Sequence, residues 1–291
     1  MGFDTAYEAI SEVVDDHRWA FGTGFTDPFA GLDPAVPEMV DGPDLAAYCL
    51  ALGDDALVMS HRLQQWLTRA PELEEETALA NIGLDLLGQA RLLLTRAGFA
   101  DGSGRAEDAF AFGRTPSQFR NVQFVELPSA DFAALVVQLL LFSTFRLAQL
   151  ARLRTSADPM LAAVAARGAN EVRYHRDYAA EWVIRLGDGT PESHERSVRA
   201  LDTLTPAAGE LFRTTELERR LATAGVAVDP PELRPEFDTV VSAILTRATL
   251  TVAQFPVPVD RTGRDGVHTP YLDDIVDELQ SVAREHGGAT W

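Results

Sequence analysis

The sequence predicts an all-α protein, and three observations carry that reading. Apolar positions such as Leu79, Ile82, Leu86, Ala90 and Leu93 recur at helical spacing. Asp-Pro and Thr-Pro pairs place a capping oxygen before a favoured first helical residue, at Asp158-Pro159, Thr190-Pro191 and Thr269-Pro270. No stretch alternates apolar and polar residues for long enough to make a central strand.

Taken in order, residues 1–43 read as an N-terminal extension. Turn signals crowd it (Gly22-Thr23-Gly24, Asp27-Pro28, Asp33-Pro34, Val36-Pro37, Gly42-Pro43), so it is expected to be a largely irregular arm with one short helix at about 4–19. Residues 44–291 read as one helical domain. Its first helix is expected over 45–68 with Asp44 as the cap. The second opens at Pro71, whose following acids Glu72, Glu74, Glu75 and Glu76 suit the positive end of the helix dipole, and closes at Gly98. A connection at 99–128, rich in Gly, Phe and Arg, is long enough to have a packing or binding task. The third helix follows Pro128-Ser129, with Ser129 as cap, and runs to 154; the fourth runs from Pro159 to Gly187. A fifth begins at Thr190-Pro191, stretches 206–223 and 232–254 read as helical, and a last helix runs from Pro270 to His286.

Four of these are about 24–29 residues long, hence about 36–44 Å. The long connection between the second and third crosses one helix length. That connectivity is a ferritin-like four-helix bundle, here with additional C-terminal helices.

Composition removes several functions. The net charge is −19, which repels a polyphosphate partner and argues against nucleic-acid binding. All 25 basic residues are arginine, so a lysine-bearing phosphate loop, a Schiff-base lysine and a lysine base are excluded. The single cysteine, Cys49, lies in an apolar run and reads as a packed thiol, consistent with a cytoplasmic protein. The longest apolar stretch, 132–145, is interrupted by Gln138 and followed by Arg146, so it is expected to be a buried helix and no membrane span. The N-terminus lacks the basic region of a signal peptide. Arg114 to Arg120 has two readings, loop solvation or contact with an acidic partner or CoA phosphates.

Three motifs carry a family resemblance: Ala80-Asn81-Ile82-Gly83-Leu84-Asp85-Leu86-Leu87-Gly88-Gln89-Ala90-Arg91 in the second helix, Glu171-Val172-Arg173-Tyr174-His175 with Glu181-Trp182 in the fourth, and Gly266-Val267-His268-Thr269-Pro270-Tyr271 near the end. Together they resemble the family of C subunits of bacterial phenylacetyl-CoA 1,2-epoxidases, over about residues 44–291. The resemblance implies a non-catalytic structural subunit of a multicomponent monooxygenase that epoxidises the aromatic ring in aerobic phenylacetate catabolism. It also implies partners: a related catalytic subunit that carries the di-iron, a small bridging subunit, and self-association. No cofactor is expected in this chain. Broad apolar helix faces such as Leu135 to Phe145 are expected to supply the interface.

Spacing tests whether this chain holds iron itself. A carboxylate-bridged dinuclear site takes a carboxylate from each of two helices and a Glu-x-x-His pair from each of two others. The residues three before the histidines are Val14, Val58, Val172, Pro191, Asp265 and Ala283, so the sequence has no Glu-x-x-His. Set against the catalytic paralogue, Asp85 stands at a Glu position and Gly88 at its His, while His175 stands at a His and Val172 at its Glu. Glu171 is one residue off, turned about 100°. The first-helix ligand position falls near Ala56, beside Asp54 and Asp55, and the third helix offers only apolar residues through Leu139-Leu140-Leu141. These positions form a vestigial di-iron pocket with no metal, catalytic or cofactor ligand set. Asp85 and His175 either join a nearby arginine in a salt-bridged plug or bond separately to backbone and water. Competing functions are a metalloenzyme with a non-standard site around Asp85, Glu171 and His175, and a stand-alone helical interaction module.

Overall fold

The computed structural model describes residues 29–251, 254–258 and 260–286; the helix expected at about 4–19 lies outside them. Helices α1 (Gly42–Gln64) and α2 (Leu73–Ala100) form one hairpin, α4 (Phe132–Leu153) and α5 (Pro159–Gly187) a second, and α2 packs on α5. The crossover between hairpins carries the short α3 (Glu107–Phe112) and two 3-10 turns, Pro116–Gln118 and Gln123–Glu126. Then follow α6 (Pro191–Ala208), α7 (Glu216–Thr223), α8 (Arg234–Arg247) and α9 (Pro270–Glu285). The described residues contain no strand. This is the expected ferritin-like bundle with its C-terminal additions.

Caps decide where the helices begin. Asp158 accepts from the Leu161 amide at 2.7 Å and Thr190 from the Ser193 amide at 3.2 Å, as the sequence predicts. Elsewhere the expected starts shift. α1 begins after Asp41, whose side chain makes no cap bond, with Pro43 in its first turn, and Asp44 lies inside the helix and pairs with Arg220. α2 begins after Glu72, so Pro71 lies outside it. Asp131 caps α4 by accepting from Ala134, whereas Ser129 bonds to Gln138. The stretch 206–223 is broken: α6 runs through Pro206 to Ala208 and passes into a 3-10 turn at Gly209–Phe212, and a capping box between Thr215 and Glu218 restarts the chain as α7. α8 stops at Arg247 because Thr249 takes a left-handed backbone at φ 58°.

Gly98 does not end α2. It lies within the helix, where a Cβ would come 2.0 Å from the Arg105 carbonyl oxygen, so it permits the crossover to lie against the helix. The segment before α1 is tied down as well. Arg96, fully buried, donates to the Pro34 carbonyl at 2.7 Å and pairs with the fully buried Asp158.

α4 is the axis of the core. It is long and apolar enough to cross a membrane, yet 89% of its most apolar window is covered by the other helices. The side chains from Leu135 to Phe145 are at most 4% exposed. The expectation that they offer an exposed interface is therefore wrong: α5, α6 and α8 already cover them. A T-shaped series, Phe145–Phe212–Phe237–Phe255, at 5.5, 4.9 and 5.2 Å, pins the C-terminal helices to α4.

Candidate functional site

The four long helices converge on a guanidinium. Arg146, on α4, is 1% exposed. Its Nη1 donates to the Leu52 carbonyl of α1 at 3.1 Å and its Nη2 to Gln89 Oε1 of α2 at 3.4 Å. Gln89 Nε2 in turn donates to Glu171 of α5 at 3.1 Å, and Arg167 holds the other Glu171 oxygen at 2.9 Å. Burial lowers the Arg146 pKa to about 10, opposed by the field of Asp55.

One turn along α2, Asp85 meets His175 of α5, with Oδ2 and Nε2 3.0 Å apart. A carboxylate only accepts, so the proton of this bond sits on Nε2. The His175 side chain is 1% exposed but that of Asp85 is 38% exposed, so the pair lies at the rim of the α2–α5 seam. Asn81, which begins the polar stripe Asn81-Asp85-Gln89, faces solvent; the stripe descends from surface to core.

The expected site residues thus separate. Asp85 joins His175, and Glu171 joins Gln89 and Arg167, with no bond between Glu171 and His175. Val172 is a fully buried apolar contact. Gly88 belongs to neither pair: its Cβ direction meets nothing within 4 Å, and the inward residue is its neighbour Gln89. Among the described residues no arginine joins the Asp85–His175 pair, so the expected three-membered plug is reduced to two: Arg146 bonds Leu52 and Gln89, and Gln89 bonds Glu171. Motif spacing does not reveal Arg146. Its signal was nonetheless available, since a charge midway along the most apolar helix needs an internal partner.

The acids of α1 face away from this centre. Asp54 pairs with Arg114 and accepts from the Arg120 amide at 2.8 Å. Asp55 accepts from Arg264 at 2.6 Å and from the Val122 amide at 2.9 Å. Burial alone works to lower the Arg264 pKa, but Asp55 outweighs it and the net shift is upward. Arg114 therefore matches neither sequence reading: it is 7% exposed, its guanidinium is paired with Asp54 and it lies over the Phe119 ring. His268 bonds to Glu126 at 2.6 Å and to the Phe119 carbonyl. Cys49 is fully buried, and burial pushes its thiol up, which suits a packed side chain.

These residues do not fit a dinuclear metal centre. Such a site needs about six inward donors, mostly carboxylates. The convergence point and the adjoining rim together offer one imidazole, one amide, two carboxylates already paired, and a cation. Among the described residues, the group of acids close enough to share an ion is Glu72, Glu74 and Glu75, at the start of α2, where they complement the helix dipole.

Two comparisons bear on the family. The family model described as "Phenylacetic acid catabolic protein" matches residues 34–291, beginning within the expected extension. A curated relative from Escherichia coli (strain K12), the C subunit of 1,2-phenylacetyl-CoA epoxidase, is 42% identical over 248 residues, 85% of this chain and 99% of that protein. With the bundle and all three motifs in place, the chain belongs to the phenylacetic acid catabolic protein family and is a homologue of the C subunit of phenylacetyl-CoA epoxidase.

Proposed function

We propose that this chain is a non-catalytic subunit of a multicomponent di-iron monooxygenase that epoxidises the ring of phenylacetyl-CoA in aerobic phenylacetate breakdown. It packs against and supports the di-iron catalytic subunit in the cytoplasm, and a small bridging subunit joins the assembly. The relative's name supports the reaction. The observation that supports the non-catalytic role is the buried Arg146: a cation sits where the four helices converge, whereas a dinuclear site in such a bundle needs inward carboxylates. The dock consistent with this reading is the outer face of α2 and α5. There Leu84 and Tyr174, adjacent to Asp85 and His175, are 58% and 52% exposed.

Co-expression of the full chain with a di-iron catalytic subunit, followed by size exclusion and iron analysis, tests the reading. The expected result is a stable complex whose iron, about two per pair, leaves with the catalytic subunit on separation. Iron remaining on this chain at that level, or no complex, rejects it.

A further inference from the structure

The disagreement between this bundle centre and a metal site has a definite agent. Arg146 reaches a carbonyl of α1, an amide of α2 and, through that amide, a carboxylate of α5. It thereby ties together the same four helices that a dinuclear centre ties together.

The charges around it leave it in surplus. Asp55, whose field favours the cation, is bonded to Arg264, a second buried guanidinium whose own field opposes Arg146. Glu171 already bears Arg167, and Asp85 already bears His175. Tyr48, the remaining titratable group that faces it, is buried, and burial pushes its phenol up so that it stays neutral. Among the described residues, no carboxylate bonds Arg146 directly. A divalent ion entering here would meet a fixed positive charge and carboxylates that are each paired elsewhere.

We infer that Arg146 is the residue that keeps divalent transition metals out of this bundle, its guanidinium providing the positive charge and cross-helix bonds that the metal provides in a metal-bearing ferritin-like chain. The inference rests on the non-catalytic reading above and assigns its cause to one side chain. It follows that the lost Glu-x-x-His spacing is not the whole barrier. With that charge reversed, Glu171 and His175, one turn apart on α5, and Asp85 across the seam are the donors offered to a single ion, once their side chains leave their present partners to meet it.

The test loads full-length wild type, His175→Ala, Arg146→Glu and the double variant Arg146→Glu/His175→Ala with cobalt(II), removes loose ion with a chelator column, and measures cobalt per chain, visible absorption and Tm. Arg146→Glu is expected to keep about one cobalt, with an imidazole-type absorption band and a cobalt-dependent rise in Tm. Wild type and the double variant are expected to keep none. A folded Arg146→Glu that takes up no cobalt overturns the inference and leaves the non-catalytic reading standing. Stoichiometric cobalt on wild type, lost with His175→Ala, overturns both. Should Arg146→Glu fail to fold, Arg146→Gln decides by the same cobalt-dependent rise in Tm: a rise absent from wild type supports the role of the charge, and no rise rejects it.

Discussion

Arg96 and Asp158 form a fully buried ion pair, and Asp158 is also the cap of α5. Two substitutions separate these roles. Asp158→Asn keeps a capping oxygen but strands a buried guanidinium, at an expected cost of about 3 kcal/mol; Asp158→Ala loses the cap as well, for about 1 kcal/mol more. Urea denaturation reads both, and equal losses would show that the cap contributes nothing. The Asp85–His175 pair is a different case despite its similar geometry. Because the Asp85 side chain is 38% exposed, Asp85→Asn is expected to cost less than about 1 kcal/mol. A loss of several kcal/mol in the same denaturation would place the pair at the heart of the bundle and not at its rim. Both residues were identifiable from the chain. Their different weights were not, because burial is set by which helix lies across them.

On the element scale, two glycines of α2 make opposite predictions. Gly88 faces open space, so Gly88→Ala should stabilise by about 0.5–1 kcal/mol through helix propensity. Gly98 has the Arg105 carbonyl where a Cβ would go, so Gly98→Ala should destabilise and loosen the crossover despite the same propensity gain. Thermal melts of the two variants decide it, and shifts of the same sign would refute the packing argument. The short helix α3 is held by Glu107. Burial works to raise its pKa, but hydrogen bonds from Arg91 and Thr95 prevail, and the net shift is below the ordinary 4.5. A carboxyl lowered on folding adds stability above the unfolded value and loses it as pH falls through the folded one. Glu107→Gln should therefore flatten the Tm profile in the window below about pH 4.5. An unchanged acid limb would show that this contact adds no pH-dependent stability. Helix starts carrying Asp-Pro or Thr-Pro were legible in the sequence because the signal is local, although the Thr269 hydroxyl bonds Glu126 and makes no cap. Those expected at Asp44, Pro71 and Ser129 shifted: Asp131 takes the cap of α4 from Ser129, while α1 and α2 begin after Asp41 and Glu72 with no side-chain cap bond.

Across the whole molecule, buried acids on α1 hold distant segments together. Asp55 grips Arg264 near the C-terminus and the Val122 amide of the crossover, while Asp54 grips Arg114 and the Arg120 amide. Asp55→Ala is expected to raise hydrogen exchange in 119–126 and 262–266 together, whereas Asp54→Ala should affect the crossover alone. Exchange confined to one segment in the Asp55 variant would show that the two are held independently.

Periodicity and capping chemistry act over a few residues, so the amino-acid order by itself determined the helices, the long crossover, the ferritin-like connectivity and the want of Glu-x-x-His ligands. The family motifs lie within single helices and were equally legible. Only the tertiary structure decided that α4 spends its apolar face on its own core, that Asp54 and Asp55 turn to the crossover, that Gln89 and not Gly88 points inward, and that Arg146 sits at the convergence of four helices. The reason is physical. A helix records which residues share a face, but which face meets solvent, and which polar group meets another across 57 residues of chain, as Gln89 and Arg146 do, is set when the helices pack.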